Sequence, residues 1–133
     1  MADTAPNFQL GEIFKDNKLH AVEYAGTIEA GDPLMVTGGN SDSLPRVQKQ
    51  TGSVQPRYVA AYAGKSGYIT DAIFEGTTKI LATKKWSAGG AYAAKAGNWE
   101  VQASGASKTC GFGIKGVAAD GDSTLVYFHG VVT

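Results

Sequence analysis

Apolar residues in this chain arrive in short bursts, and glycine separates the bursts. The runs LHAVEY (19–24), PLMVT (33–37), PRVQKQ (45–50), RYVAAYA (57–63), TTKILAT (77–83), AYAAK (91–95), WEVQA (99–103), TCGFGIKGVA (109–118) and STLVYFHGVV (123–132) all have the length and β-branched or aromatic content of strands. The clearest alternation sets Trp99, Val101 and Ala103 on one face and Glu100 and Gln102 on the other, the pattern of a half-buried strand. The last run is almost continuously apolar, which predicts a strand that is central or two-sided in the core. Ala91–Ala96 has a composition that suits a short helix, but Gly89-Gly90 before it and Gly97-Asn98 after it favour a strand and a turn. Each glycine inside a helix costs about 1 kcal/mol against alanine, whereas a turn uses glycine's freedom at positive φ. The predicted class is all-β: a small β-barrel or sandwich of many short strands.

One pattern occurs twice. Ala30-Gly31-Asp32-Pro33-Leu34-Met35-Val36 leads through Gly39-Asn40 to Val47-Gln48 and ends at Thr51-Gly52. Ala88-Gly89-Gly90-Ala91-Tyr92-Ala93-Ala94 leads through Gly97-Asn98 to Val101-Gln102 and ends at Ser104-Gly105. Both read as turn, strand, Gly-Asn turn, strand, turn, with the first connection lengthened by SDSL at 41–44. Two copies predict two similar hairpins in one β unit; a solenoid needs at least three repeats.

The first 18 residues break the rhythm. MADTAPNFQLGEIFKDNK has no clear period and scatters Phe8, Leu10, Ile13 and Phe14 among polar residues. This reads as an extended N-terminal arm (1–18) before a single β domain (19–133), loose alone or laid over a neighbouring surface. The 133-residue length suits one domain that buries roughly two-thirds of its unfolded surface without disulfides or metal.

Composition then removes classes. Twelve basic against twelve acidic side chains leave no surplus for general nucleic-acid binding. The zero total hides an asymmetry, because residues 1–32 hold Asp3, Glu12, Asp16, Glu23, Glu29 and Asp32 against only Lys15 and Lys18. Residues 33–100 hold eight bases against four acids, an arrangement that suits complementary neighbours in an assembly. The lone Cys110 excludes an intrachain disulfide. No run approaches the roughly 20 apolar residues of a membrane span, and the N-terminus lacks a secretory pattern, so no membrane partner and no secretion are expected.

Candidate chemistry is thin. Gly111-Phe112-Gly113-Ile114-Lys115-Gly116 has the G-x-G-x-x-G spacing, but the turn-like VAADGD that follows is too short for the helix a dinucleotide site requires. Glycines two apart on a strand instead leave one face bare for a close backbone. Asp120-Gly121-Asp122 lacks the further acids of a calcium loop and reads as a hairpin turn. His20 and His129 lie far apart in the chain without metal-ligand spacing, and Cys110 reads as a small buried thiol. Lys84-Lys85-Trp86 is a weak nucleic-acid signal best placed in an exposed loop. No catalytic, cofactor-binding or metal residues are assigned, and no enzyme is expected.

The stretch Ser87–Gly130 resembles the C-terminal half of a family of small capsid decoration (cement) proteins of tailed viruses. Gly89, Tyr92, Gly97, Gly113, Gly116-Val117-Ala118, Gly121 and Val126 carry the pattern, and Glu29–Val36 is similar to the family's first strand pair. The resemblance covers about residues 19–131; the arm has no counterpart in it. It implies a β-barrel or β-tulip-like fold, a symmetric homo-oligomer (commonly a trimer), and attachment to the outer capsid surface of the assembled head. The implied partner is the major capsid protein, and the implied location is the virion after synthesis in the host cytoplasm. Phe8, Leu10, Ile13 and Phe14 are the arm residues expected to contact the capsid, by filling grooves or adding a strand. Two other readings remain at this point. One is a tail or head-completion protein that forms rings or tubes unaided. The other is a small ligand-binding barrel with Tyr58, Tyr62, Trp86, Tyr92 and Trp99 as an aromatic platform.

Overall fold

The computed structural model describes residues 10–39, 43–52, 54–82, 89, 91–95, 97–101, 110–116 and 119–129. Among these residues there is no helix, and nine strands form the fold. They are β1 (Lys18–Tyr24), β2 (Pro33–Gly39), β3 (Pro45–Lys49), β4 (Tyr58–Ala60), β5 (Ile69–Leu81), β6 (Ala91–Lys95), β7 (Asn98–Val101), β8 (Gly111–Gly113) and β9 (Ser123–Phe128).

The strand order is β1-β3-β2-β4-β5-β9-β8-β6-β7, and β1 also pairs with β5. That extra pairing closes β1, β3, β2, β4 and the first half of β5 into a five-stranded barrel without an open edge. The second half of β5 continues into β9, β8, β6 and β7, and a parallel bridge Ala82↔Trp99 brings β7 back to the end of β5. The thirteen-residue β5 is therefore a wall of both rings.

The two rings share one plan, residue by residue. In the first, β1 runs against β5 from Leu19↔Ile73 to Glu23↔Ile69; in the second, β5 runs against β9 from Thr77↔Tyr127 to Leu81↔Ser123. Leu34↔Tyr58 and Pro33↔Val59 correspond to Tyr92↔Gly111 and Ala91↔Phe112. Val59↔Ile73 and Ala60↔Ala72 correspond to Phe112↔Tyr127 and Gly113↔Val126. The parallel contact Tyr24↔Val47 corresponds to Ala82↔Trp99. The turns match too: Tyr24 N donates to Tyr68 O and Gly67 N to Tyr24 O, while Ala82 N donates to Asp122 O and Gly121 N to Ala82 O. Both hairpins expected from the repeated pattern are present, one per ring, as β2–β3 and β6–β7. The sequence alignment of Val47 with Val101 slips by two residues, because Val36 opposes Val47 and Ala94 opposes Trp99.

Packing explains why one plan tolerates two sequences. Tyr24, Leu34, Val47, Tyr58, Ala60 and Ala72 are buried in the first ring. Their counterparts in the second are Ala82, Tyr92, Trp99, Gly111, Gly113 and Val126, all buried. Where one ring carries an aromatic the other carries a smaller residue: Ala82 for Tyr24, Gly111 for Tyr58, Leu34 for Tyr92 and Val47 for Trp99. Gly111 is the tightest case: a Cβ there would collide with the Tyr127 carbonyl oxygen and stand 3.0 Å from Tyr92 Oη. Tyr92 donates from Oη to Tyr127 O at 3.1 Å and meets Trp99 edge to face at 5.5 Å.

One expectation changes and one is sharpened. The strand before residue 77 begins at Ile69, because the barrel supplies partners on both sides of ITDAIFEG. The terminal strand is central, between β5 and β8, but alternates: Thr124, Val126 and Phe128 are buried while Ser123, Leu125 and Tyr127 are half-buried. Residues 130–132 of that run lie outside the described residues.

Candidate interaction surface

The described part of the arm lies on the β wall. Gly11 N donates to Lys79 O at 2.8 Å, so close to the sheet that a Cβ at Gly11 would collide with Ala60 O. Asp16 Oδ2 accepts from Thr77 N at 3.0 Å and Thr77 Oγ1 at 2.7 Å, and Asn17 Nδ2 donates to Thr77 O at 2.7 Å. These bonds fix residues 10–17 to the second half of β5.

The four capsid-contact candidates do not share one environment. Leu10 sits between two clefts, of about 580 and 420 Å³, each of which it lines. Ile13 is 37% exposed beside Tyr62, and Phe14 is half-buried with its N–H on Asn17 Oδ1 at 2.6 Å. Phe8 lies outside the described residues. The larger cleft runs from Leu10 past Asp32, Lys49 and Leu81 to Asn98 and Trp99. In it Asp32 faces Lys49 at 3.7 Å, and burial raises the Asp32 carboxyl above the ordinary aspartate range.

The joint between the rings is built from side-chain amides and one indole. Gln50 is 1% exposed; its Nε2 donates to Val54 O at 2.6 Å and its Oε1 accepts from Gly97 N at 2.7 Å. Gln55 bonds the backbone of Ala94 on both sides at 3.3 Å. Trp99 Nε1 donates to Gly31 O at 2.7 Å across the joint. The apolar side is one buried cluster in which Val59, Ala61 and Ile73 of the first ring join Ala94, Trp99, Cys110 and Phe128 of the second.

The residues singled out for chemistry are structural in their surroundings. Cys110 is buried, its Sγ on Gln55 Oε1 at 3.3 Å, and burial pushes its pKa up to about 12. A thiol in that state is protonated at neutral pH and is a poor nucleophile. Gly111–Gly113 is strand β8, and among the described residues after it there is no helix whose N-terminus faces these glycines. Gly121 lies in the turn before β9. His20 stacks on Tyr58 at 5.8 Å with Nδ1 2.8 Å from the phenol oxygen. Among the described residues no three His, Cys, Asp or Glu side chains gather as a metal site. Of the aromatic-platform residues, Tyr92 and Trp99 are core residues, Tyr58 is 8% exposed, Tyr62 is 46% exposed, and Trp86 lies outside the described residues.

What the surface offers is apolar. Val36, Phe74, Phe112 and Ile114 are 45%, 38%, 46% and 41% exposed, and Phe112 stacks on Tyr127 at 5.5 Å. The sequence reading missed all of these: Val36, Phe112 and Ile114 sit in runs that also supply core residues, and Phe74 lies between two predicted runs.

No protein-family model matches the chain, and no curated protein matches it in sequence. In three dimensions it is similar to the crystal structure of the head fiber gp8.5 N base of bacteriophage phi29. The TM-score is 0.66 at 12% identity, over 87% of this chain and 98% of that chain. At this identity the likeness is one of fold, and it covers nearly the whole of the phage protein's base.

Proposed function

We propose that this chain is a structural protein of a tailed-virus head. It attaches to the outer surface of the assembled shell as a closed homo-oligomer, a trimer in the form the family resemblance implies, with the major capsid protein as its partner. The observation that carries the reading is the fold likeness to a phage head fibre base over 98% of that chain. The decoration-family pattern in Ser87–Gly130 points the same way from sequence. A protein that binds only the assembled shell stabilises it by mass action, about 2.7 kcal/mol per site at a hundredfold excess over Kd. Attachment through several copies adds avidity without any single strong contact. Leu10, Ile13 and Phe14, with Phe8, are the arm residues assigned to the capsid contact. The role is structural, with no catalytic step.

Cosedimentation tests the proposal. The protein should pellet with assembled heads and not associate with unassembled capsid protein, and Ile13→Asp should weaken pelleting while leaving the fold intact. Equal binding to both capsid forms, or to neither, contradicts the reading. A second reading, favoured by what the structural neighbour is, makes the chain the base of a head fibre. Electron microscopy of decorated heads separates the two: the fibre reading requires a projection rising from each attached base.

A further inference from the structure

The joint between the rings is not symmetric, and each side of it has a counterpart on the other ring. The first ring contributes the outward side of β4 and β5, where Val59 and Ile73 are fully buried. The second contributes the end of its barrel, where Ala94 is 2% exposed and Phe128 is fully buried. By the shared register, Val59 and Ile73 correspond to Phe112 and Tyr127. Ala94 corresponds to Val36, because Ala94 opposes Trp99 as Val36 opposes Val47. Phe128, the residue after Tyr127, corresponds to Phe74, the residue after Ile73.

All four counterparts are at the surface. Phe112 is 46% exposed and Tyr127 half-buried, so the second ring presents an aromatic pair where the first ring is covered. Val36 is 45% and Phe74 38% exposed, with His20 edge-on to Phe74 at 6.1 Å, so the first ring has an open barrel end where the second is sealed. Among the described residues, one chain therefore contains one completed joint, one exposed acceptor face and one open barrel end of the same kind. Large exposed apolar patches mark interaction sites in soluble proteins. These two are on opposite rings and correspond to the two sides of an interface the fold already makes.

We propose that the occupant of each is a second copy of this chain. The Val36–Phe74 barrel end of one copy docks on the Phe112–Tyr127 face of the next and continues the intrachain joint between chains. Such contact is head to tail, a heterologous interface that builds rings or filaments and not isologous pairs. The inference supplies the self-association that the head-decoration reading uses and rests on that reading only for its role on the capsid. Its test contains no heads, so either can fail without the other.

The experiment uses full-length chain, size-exclusion chromatography with light scattering, and three variants at exposed positions. Phe112→Asp disables the acceptor; Val36→Asp and, separately, Phe74→Asp disable the barrel end. A carboxylate at the centre of an apolar interface should weaken association at least about a hundredfold. Wild type should run as an oligomer and each variant as a folded monomer with unchanged circular dichroism. Phe112→Asp mixed with Val36→Asp should give a one-to-one heterodimer, since one intact barrel end meets one intact acceptor and growth stops. Should Phe74→Asp unfold, the Val36→Asp mixture alone decides. A wild-type monomer at about 100 µM, variants that stay oligomeric, or variants that do not pair on mixing would each overturn the proposal.

Discussion

Replacing Trp99 with phenylalanine perturbs the joint at its most connected residue. Trp99 is 2% exposed, packs edge to face on Tyr92 at 5.5 Å and on Phe128 at 6.0 Å, and donates Nε1 to Gly31 O at 2.7 Å. Phenylalanine keeps much of the aromatic contact and removes the donor. The lost volume costs about 1 kcal/mol in transfer and cavity. A buried carbonyl that loses its donor costs about 1–3 kcal/mol, and Gly31 is buried. The cleft of about 580 Å³ that both residues line admits water to that oxygen, which puts the second contribution near its lower end. The sum is about 2 kcal/mol, or roughly 6–10 °C in Tm for a chain of this length. The assay is thermal unfolding by circular dichroism, repeated by intrinsic fluorescence, which in the variant comes from Trp86 and the tyrosines. Because Trp99 joins the two rings, both probes should report one coincident transition at the lower temperature. A Tm within about 2 °C of the parent would refute the assignment of Trp99 as the joint.

Four further outcomes follow from particular positions. Gly111→Ala should destabilise by at least about 2 kcal/mol through overpacking. Gly38→Ala, where an added Cβ would meet nothing within 4 Å, should stay within about 0.5 kcal/mol in urea denaturation. Stability should decline as pH rises above about 9: the folded state keeps the Cys110 and Tyr24 protons, both groups lying at about 12, while the unfolded chain releases them at ordinary values. Below the unfolded values that contribution is fully present, and Cys110→Ala should flatten the decline in urea midpoints between pH 8 and 10. Asp16→Ala removes two hydrogen bonds to Thr77 and should lower stability by about 1–2 kcal/mol, with faster limited proteolysis within residues 10–17.

The local grammar of the fold was legible in the chain. Gly97 does lie in the turn between β6 and β7, with Asn98 opening β7 opposite Lys95; Trp99 does face inward, and Cys110 is a buried thiol. The first half of β5 was not legible, because its inward residues are Thr70 and Ala72 and its outward ones include Asp71, so periodicity carries little signal. The exchange of Tyr58 for Gly111 and of Val47 for Trp99 is a nonlocal compensation, visible only once strands are in register. Repeated Val-Gln pairs misled the alignment for the same reason: identical letters occupied positions two residues apart in the plan. The arm's composition marked it as distinct, but its bonds to Thr77 and Lys79 depend on sheet edges that no local pattern encodes. Exposed Phe112 and Val36 were hidden because a strand that serves a core in one ring serves a surface in the other.

The most direct test of the head-attachment account is thermal disruption of genome-filled heads, followed with a nucleic-acid dye. Heads stripped of this protein should release their nucleic acid at a lower temperature than decorated heads, and adding purified protein back should restore the higher value in proportion to sites filled. Identical release temperatures with and without saturating protein would contradict the account.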